Sequence, residues 1–274
     1  MPFLEEALRS IARQSDRSLE VVVQDGGSTD GTLACLQRWH PTLNLTVVSE
    51  PDRGIGHAYQ QAIQRSRGEI VGTIDADNLL EPDALKRVDE AFVRHPDCAV
   101  VYGVVRTIDQ QGRPVAAFRP ERFDLLRAMR CELVPPFSTA FFCRAVCGAE
   151  LYFDDTLKTC ADFDLWLRLG RLPMVALPEV LGSTRLGRQS MSCRPASFDQ
   201  FCRDKIRVLS RFLARQKFAA IESIRKRSIA GIYLWAAESV YELGGPTSQI
   251  ARYCRRAATF DPRSDRLRRF RRRH

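Results

Sequence analysis

Between residues 2 and 95 the chain switches hydrophobic period at short, regular intervals, and this alternation constrains its fold more than any other feature. Residues 19–23 (LEVVV), 45–48 (LTVV) and 69–74 (EIVGTI) are short β-branched runs, which predicts three strands. Residues 2–14 place Leu4, Ala7, Leu8 and Ile11 on one helical face, and residues 31–39 and 55–66 are again helical in pattern. Glu81, Pro82 and Asp83 open a fourth helix, with proline early and acids in the first turn, and it stops near His95 and Pro96. Such a rhythm predicts an α/β fold with a mostly parallel sheet flanked by helices. Sheets of this kind take ligands at the carboxyl ends of their strands. From residue 99 the pattern changes. Residues 100–108, a polar turn at 110–113 and residues 114–118 predict a hairpin, residues 138–143 a strand and 161–170 a helix. Residues 198–260 read as helical, broken at Gly244, Gly245 and Pro246, as one helix pair rather than a repeat array.

Charge divides the chain. Residues 203–274 carry 19 basic and 6 acidic side chains, whereas residues 1–202 carry 23 basic and 27 acidic. The expected division is therefore a site-bearing domain over residues 1–195, a helical extension over 196–262 and a basic, disordered tail over 263–274. A polybasic end can hold an anionic membrane face, at about 1 kcal/mol per residue near the surface. No nucleic-acid recognition motif accompanies it. No apolar run reaches the ~18 residues a membrane span needs. Nine cysteines occur without a C-x-x-C spacing, which predicts reduced thiols and a cytoplasmic protein, in peripheral contact at most with the inner membrane face.

Three stretches can carry chemistry. In VVVQDGGSTDGT (21–32) a buried strand ends in Asp25, followed by Gly26 and Gly27. The glycines permit positive φ and close backbone approach, and Ser28, Thr29 and Asp30 can cap the next helix. In GEIVGTIDADNLLEPDAL (68–85) an apolar strand delivers Asp75 and Asp77. Residues i and i+2 of an extended chain point the same way, and two close carboxylates ask for a cation. Hard oxygen ligands suit Mg²⁺ or Mn²⁺, which also bind substrate phosphates. In KTCADFDLWLRLGRLP (158–173) Asp162 stands at a helix start beside a core face of Phe163, Trp166 and Leu167. In isolation each stretch is equally well a capped turn.

Taken together, DGGSTDGT, SEPDRGIG (49–56), GEIVGTIDADN and ADFDLWLRL resemble the family 2 glycosyltransferases of the GT-A fold in order and spacing, over roughly residues 1–190. The resemblance implies an inverting transferase that moves a sugar from a nucleotide-diphosphate sugar to a hydroxyl of a glycan, glycolipid or protein acceptor, as in surface polysaccharide synthesis. Asp25, with Gly26 and Asp52 beside it, would hold the nucleotide, and Asp75 would lie near the ribose or the metal. Asp77 would coordinate the metal bridging the diphosphate, and Asp162 would be the general base. Arg185 and Arg188 lie where the family has a loop that closes on the diphosphate.

The chain departs from that pattern in places. Gly26 replaces the second acid of a common pair, Gln60, Gln61 and Ala62 replace an Asn, a basic residue and a Gly, Asn78 replaces a third acid, and Ala161 replaces a Glu. The strand with which the family opens does not precede residues 2–14, and a start site upstream of Met1 is the expected explanation. The alternative is an inactive glycosyltransferase-like fragment that acts as a binding module through its helical extension. A nucleotidyltransferase would need a basic, Gly-rich loop after the first strand, and a dinucleotide oxidoreductase a G-x-G-x-x-G after a strand; neither is present.

Overall fold

The computed structural model describes residues 2–14, 18–187, 191–217 and 220–273. The chain divides into two compact units whose boundaries interleave. The first comprises Met1–Phe123, Pro135–Thr156 and Arg171–Leu186, and the second Asp124–Val134, Leu157–Gly170 and Gly187–His274. This differs from the single cut expected at residue 195, because segments 124–134 and 157–170 group with the C-terminal helices.

In the first unit the order is α1 (Pro2–Ala12), β1 (Val21–Asp25), α2 (Thr32–Trp39), β2 (Leu45–Ser49), α3 (Ile55–Arg65), β3 (Ile70–Gly72), β4 (Leu79–Leu80), α4 (Ala84–Arg94), β5 (Val100–Ile108) and β6 (Pro114–Phe118). The α/β alternation is as predicted. β1 and β2 pair in parallel, with Asp25 opposite Ser49. Their apolar faces join Leu8 and Ile11 of α1 and Cys35 and Leu36 of α2 in one buried cluster.

Two later strands complete the unit: β7 (Ala140–Cys143) and β8 (Met174–Arg185). The larger sheet has the order β3-β7-β5-β8-β4, with β6 on β5. Here the expectation of a mostly parallel sheet is corrected. Among the described residues only β1–β2 and β5–β8 are parallel, and the other four pairings are antiparallel. β6 turns straight back onto β5, and a tight return forces the antiparallel sense.

β8 has no strand signature in the sequence because Pro178 interrupts it. The structure absorbs the proline in a bulge. Tyr102 pairs with Ala176 and Val104 with Val180, so Gly103 faces three residues. A Cβ on Gly103 would lie 2.5 Å from Leu181 Cγ and 3.0 Å from the Glu179 carbonyl oxygen, which leaves only glycine there.

The second unit is helical. It contains the short α5 (Leu125–Met129), then α7 (Ala161–Leu169), α8 (Phe198–Ala214), α9 (Ile221–Glu242), α10 (Thr247–Phe260) and α11 (Asp265–Arg273); α6 (Arg144–Cys147) belongs to the first unit. Asp199 of α8 accepts from Arg252 (2.8 Å) and from the Tyr253 hydroxyl (2.8 Å) of α10. α11 occupies the tail for which disorder was expected. Leu267 is 2% and Phe270 8% exposed, and Arg266 donates to Glu238 (2.9 Å) and to the carbonyl of Arg130 (3.1 Å). An apolar pair three residues apart, buried on one face, is what composition alone concealed. No helix among the described residues is long and apolar enough to cross a membrane.

Candidate active site

The loops after β1, β2 and β3 carry Asp30, Asp52, Asp75 and Asp77. Asp25, 7% exposed, ends β1. Its Oδ2 accepts from the Gly27 N–H (3.0 Å), the Ser28 N–H (2.9 Å) and the Ser49 hydroxyl (2.6 Å), and its Oδ1 from the Ser28 hydroxyl (2.6 Å). Burial works against its charge, but the hydrogen bonds from Ser28, Ser49 and Gly27 prevail and hold its carboxyl below the usual aspartate value. Asp25 therefore shapes the loop: its oxygens are filled from within. Ser49, its neighbour across the strand pair, was not singled out in the sequence.

Positive φ occurs at Gly27 (89°) and Gly31 (89°). Gly26 serves proximity instead, since a Cβ there would lie 2.7 Å from Asp52 Oδ2. Asp52 accepts from the Gly54 N–H at 2.8 Å through Oδ1. The Asp25 loop and Asp52 thus meet at a point that admits no side chain. Asp30 accepts from the Thr32 N–H and hydroxyl (3.2 and 2.7 Å), just outside α2, whose N-cap is Gly31.

β3 ends at Gly72, and residues 75–78 form a turn closed by the Asn78 N–H on the Asp75 carbonyl (3.0 Å). The same-side argument for Asp75 and Asp77 assumed an extended chain and does not hold. The two carboxylates are in different states. Asp75 accepts from the Tyr59 hydroxyl and from Asn78 Nδ2 (3.1 Å). Asp77 is half-buried and its carboxylate makes no hydrogen bond or ion pair with a described residue. Asn78, 2% exposed, also accepts from the Arg185 N–H (3.2 Å), which explains an amide where a third acid was expected.

Arg185 is corrected from its expected place at the diphosphate. Its side chain is 1% exposed and paired with Glu6 at 2.6 Å. Three further donors go to the carbonyls of Asp77 (3.3 Å), Asp109 (3.1 Å) and Gln110 (3.3 Å), and its Cζ lies 4.1 Å from the Phe3 ring centroid. Four of its five N–H donors are thus engaged, and it latches the 75–78 turn. Arg188 lies outside the described residues.

In the second unit the chain enters α7 through Cys160, in the left-handed region at φ 63°. Strain of this kind persists only where neighbours enforce it. Buried Asp204 does so, accepting from the Thr159 N–H (3.0 Å) and hydroxyl (2.9 Å). Asp162 and Asp164 follow in the first turn. Asp164 is paired with Arg168 at 2.8 Å. Asp162 is half-buried and makes no hydrogen bond or ion pair with a described residue. Trp166 is fully buried and so cannot meet an acceptor.

No group of three or more His, Cys, Asp or Glu side chains among the described residues could enclose a metal ion. Asp77, an unpartnered hard-oxygen donor beside the occupied Asp75, fits instead an ion that keeps waters and phosphate oxygens, as Mg²⁺ and Mn²⁺ do.

The architecture is that of the GT-A class of glycosyltransferases. Solved structures of that class share the fold. S. aureus TarS 1-349 in complex with UDP-GlcNAc superposes with a TM-score of 0.69 at 20% identity, covering 94% of this chain and 77% of that one. The mannosyltransferase PcManGT from Pyrobaculum calidifontis, in complex with GDP-Man and Mn²⁺, gives 0.63 at 22% identity, covering 94% and 72%. A family model described as Glycosyl transferase family 2 matches residues 1–146, and the chain belongs to that family. The chondroitin synthase of Escherichia coli is 30% identical over 177 residues, which are 62% of this chain and 25% of that protein. The chain thus spans only about a quarter of that relative.

Proposed function

We propose that this chain transfers a sugar from a nucleoside-diphosphate sugar to a hydroxyl of a growing surface polysaccharide, with inversion at the anomeric carbon. One observation carries the reading. Each of the two acidic motifs, D-A-D and D-F-D, holds one committed and one uncommitted aspartate: Asp75 is bonded to Tyr59 and Asn78 and Asp164 to Arg168, while Asp77 and Asp162 have no described partner. A carboxylate left unpaired where its neighbour is not is available for a ligand.

Asp77 would hold the divalent ion. Such an ion supplies charge stabilisation to the departing nucleoside diphosphate. The Asp25 loop, fixed by its own hydrogen bonds, together with Asp52 and Gly26, would shape the nucleotide's seat. Asp162 would accept the proton of the attacking hydroxyl, a contribution of typically 10²–10⁴-fold. Similarity to proteins such as the chondroitin synthase of Escherichia coli supports polysaccharide synthesis.

The test is release of nucleoside diphosphate from UDP-GlcNAc and GDP-mannose, each with oligosaccharide acceptors and with Mn²⁺ or Mg²⁺. Activity should disappear in the presence of EDTA, return with Mn²⁺, and fall at least a hundredfold in D77N and in D162N. Full activity in both variants refutes the assignment. Binding of glycan with no turnover of any nucleotide sugar favours the binding-module alternative.

A further inference from the structure

We propose that the helical second unit carries a saccharide-binding cavity of its own, built where α5, α9 and α11 converge, and that it takes a neutral, hydroxyl-rich glycan chain. The inference goes beyond the transfer chemistry. It rests on that reading in one respect, that glycan is what the protein acts on.

The cavity encloses about 550 Å³, within the range of small-molecule sites. Two of its lining residues are locked together. Arg266 of α11 donates to Glu238 of α9 through Nε (2.9 Å) and through Nη2. Its Nη1 donates to the carbonyl of Arg130 (3.1 Å) and its Nη2 also to that of Cys131 (3.4 Å). Cys131 has left-handed backbone at φ 52°, in the turn that presents those carbonyls just after α5. Arg266 and Glu238 thus tie three segments together and offset each other's charge. They give the cavity its shape.

The rest of the lining is available to a ligand. Tyr241 keeps 45% of its surface exposed, and its ring meets that of buried Phe270 edge-on, 6.0 Å between centroids. The side chains of Glu242 and Arg269 make no hydrogen bond or ion pair with a described residue. Glu132 reaches Arg130 only at 3.9 Å. Arg127 completes the set.

Charge selects the ligand. The lining holds three carboxylates, on Glu132, Glu238 and Glu242, and three guanidiniums, on Arg127, Arg266 and Arg269, for a net charge of zero. A phosphate or an anionic polymer would meet the carboxylates. A polycation would meet the guanidiniums, and these carboxylates do not group so as to enclose a metal ion. An apolar ligand would take water from charged groups and return no hydrogen bond. A sugar hydroxyl both donates and accepts, so neighbouring hydroxyls of one ring can donate to a carboxylate and accept from a guanidinium. The C–H face of the same ring packs on an exposed aromatic, which Tyr241 supplies.

The test is saturation-transfer NMR on the full chain. Maltohexaose, mannohexaose and chitohexaose serve as neutral probes and hexagalacturonate as the anionic control. At least one neutral hexasaccharide should bind, and more tightly than the control. Y241A and E242Q/R269Q should each weaken that binding at least tenfold, as expected for loss of a stacking face or of charge-assisted hydrogen bonds. No binding of any neutral probe overturns the proposal, and so does tighter binding of hexagalacturonate. Unchanged affinity in either variant, once circular dichroism shows it folded, overturns it too. If Y241A does not fold, E242Q/R269Q decides, since both of its positions are exposed. Turnover of nucleotide sugars is measured apart. Turnover in a chain that binds no neutral hexasaccharide refutes this inference alone. Glycan binding that depends on Tyr241, in a chain that turns over no nucleotide sugar, refutes the transfer reading and leaves the cavity standing.

Discussion

The Arg185 side chain donates to the main-chain carbonyl of Asp77 at 3.3 Å, while the Asp77 carboxylate has no described partner. The proposed metal ligand is thus anchored through its backbone by a buried arginine and left free at its side chain. R185A should destabilise the protein by about 2–4 kcal/mol, within the range for breaking a buried ion pair whose partner, Glu6, is half-exposed. R185K should recover little of this, because a single ammonium cannot reach three carbonyls and a carboxylate. Urea unfolding measures both. An R185K protein of normal stability that has lost only donor affinity would restore Arg185 to the diphosphate.

Asp25 makes a pH prediction. Its folded-state pKa is lowered, so the stability it confers is fully present above the unfolded value and is lost as pH falls through the folded one. D25N should be about 2 kcal/mol less stable than wild type from pH 5 to 8, the size expected for hydrogen bonds to a charged group. The gap should narrow below the ordinary aspartate value of 3.8. A gap that does not change between pH 7 and pH 3 would mean that the charge contributes nothing.

Gly231 lies inside α9, where exchange for alanine would ordinarily gain up to ~1 kcal/mol of helix propensity. Here a Cβ would fall 2.3 Å from the Arg130 carbonyl oxygen, a backbone atom that cannot rotate away. G231A should therefore destabilise, by about 1–3 kcal/mol as for other overpacked sites. Thermal denaturation gives the sign, and a raised melting temperature would refute the close approach.

α11 buries Leu267 and Phe270 and exposes Arg268, Arg269, Arg271 and Arg272. Its apolar side is spent inside the protein, so this helix offers no apolar face to a lipid bilayer.

Much of the fold was visible in the residues. The strands of residues 21–25, 45–49 and 70–72 and the helices between them were anticipated within a few positions, because hydrophobic period reports directly which face of a segment meets the core. β8 was not, since Pro178 argues against a strand unless a bulge and Gly103 opposite it are known. The antiparallel pairing of β7 was hidden too: a four-residue apolar run has no direction until a partner gives it one.

The candidate site divides along the same line. Composition and spacing suffice to single out Asp25, Asp75, Asp77 and Asp162, because local motifs at strand ends and helix starts are written in consecutive residues. Which of those aspartates is occupied depends on Tyr59, Ser49 and Asn78, and the burial of Arg185 and Lys205 on Glu6, Phe163 and Trp235, up to 179 positions away. Hydrogen bonds and desolvation act through space over a few ångströms, and distance along the chain does not encode them. Chemistry-bearing residue types are therefore local information, whereas their protonation, availability and partners arise only when the chain has closed on itself.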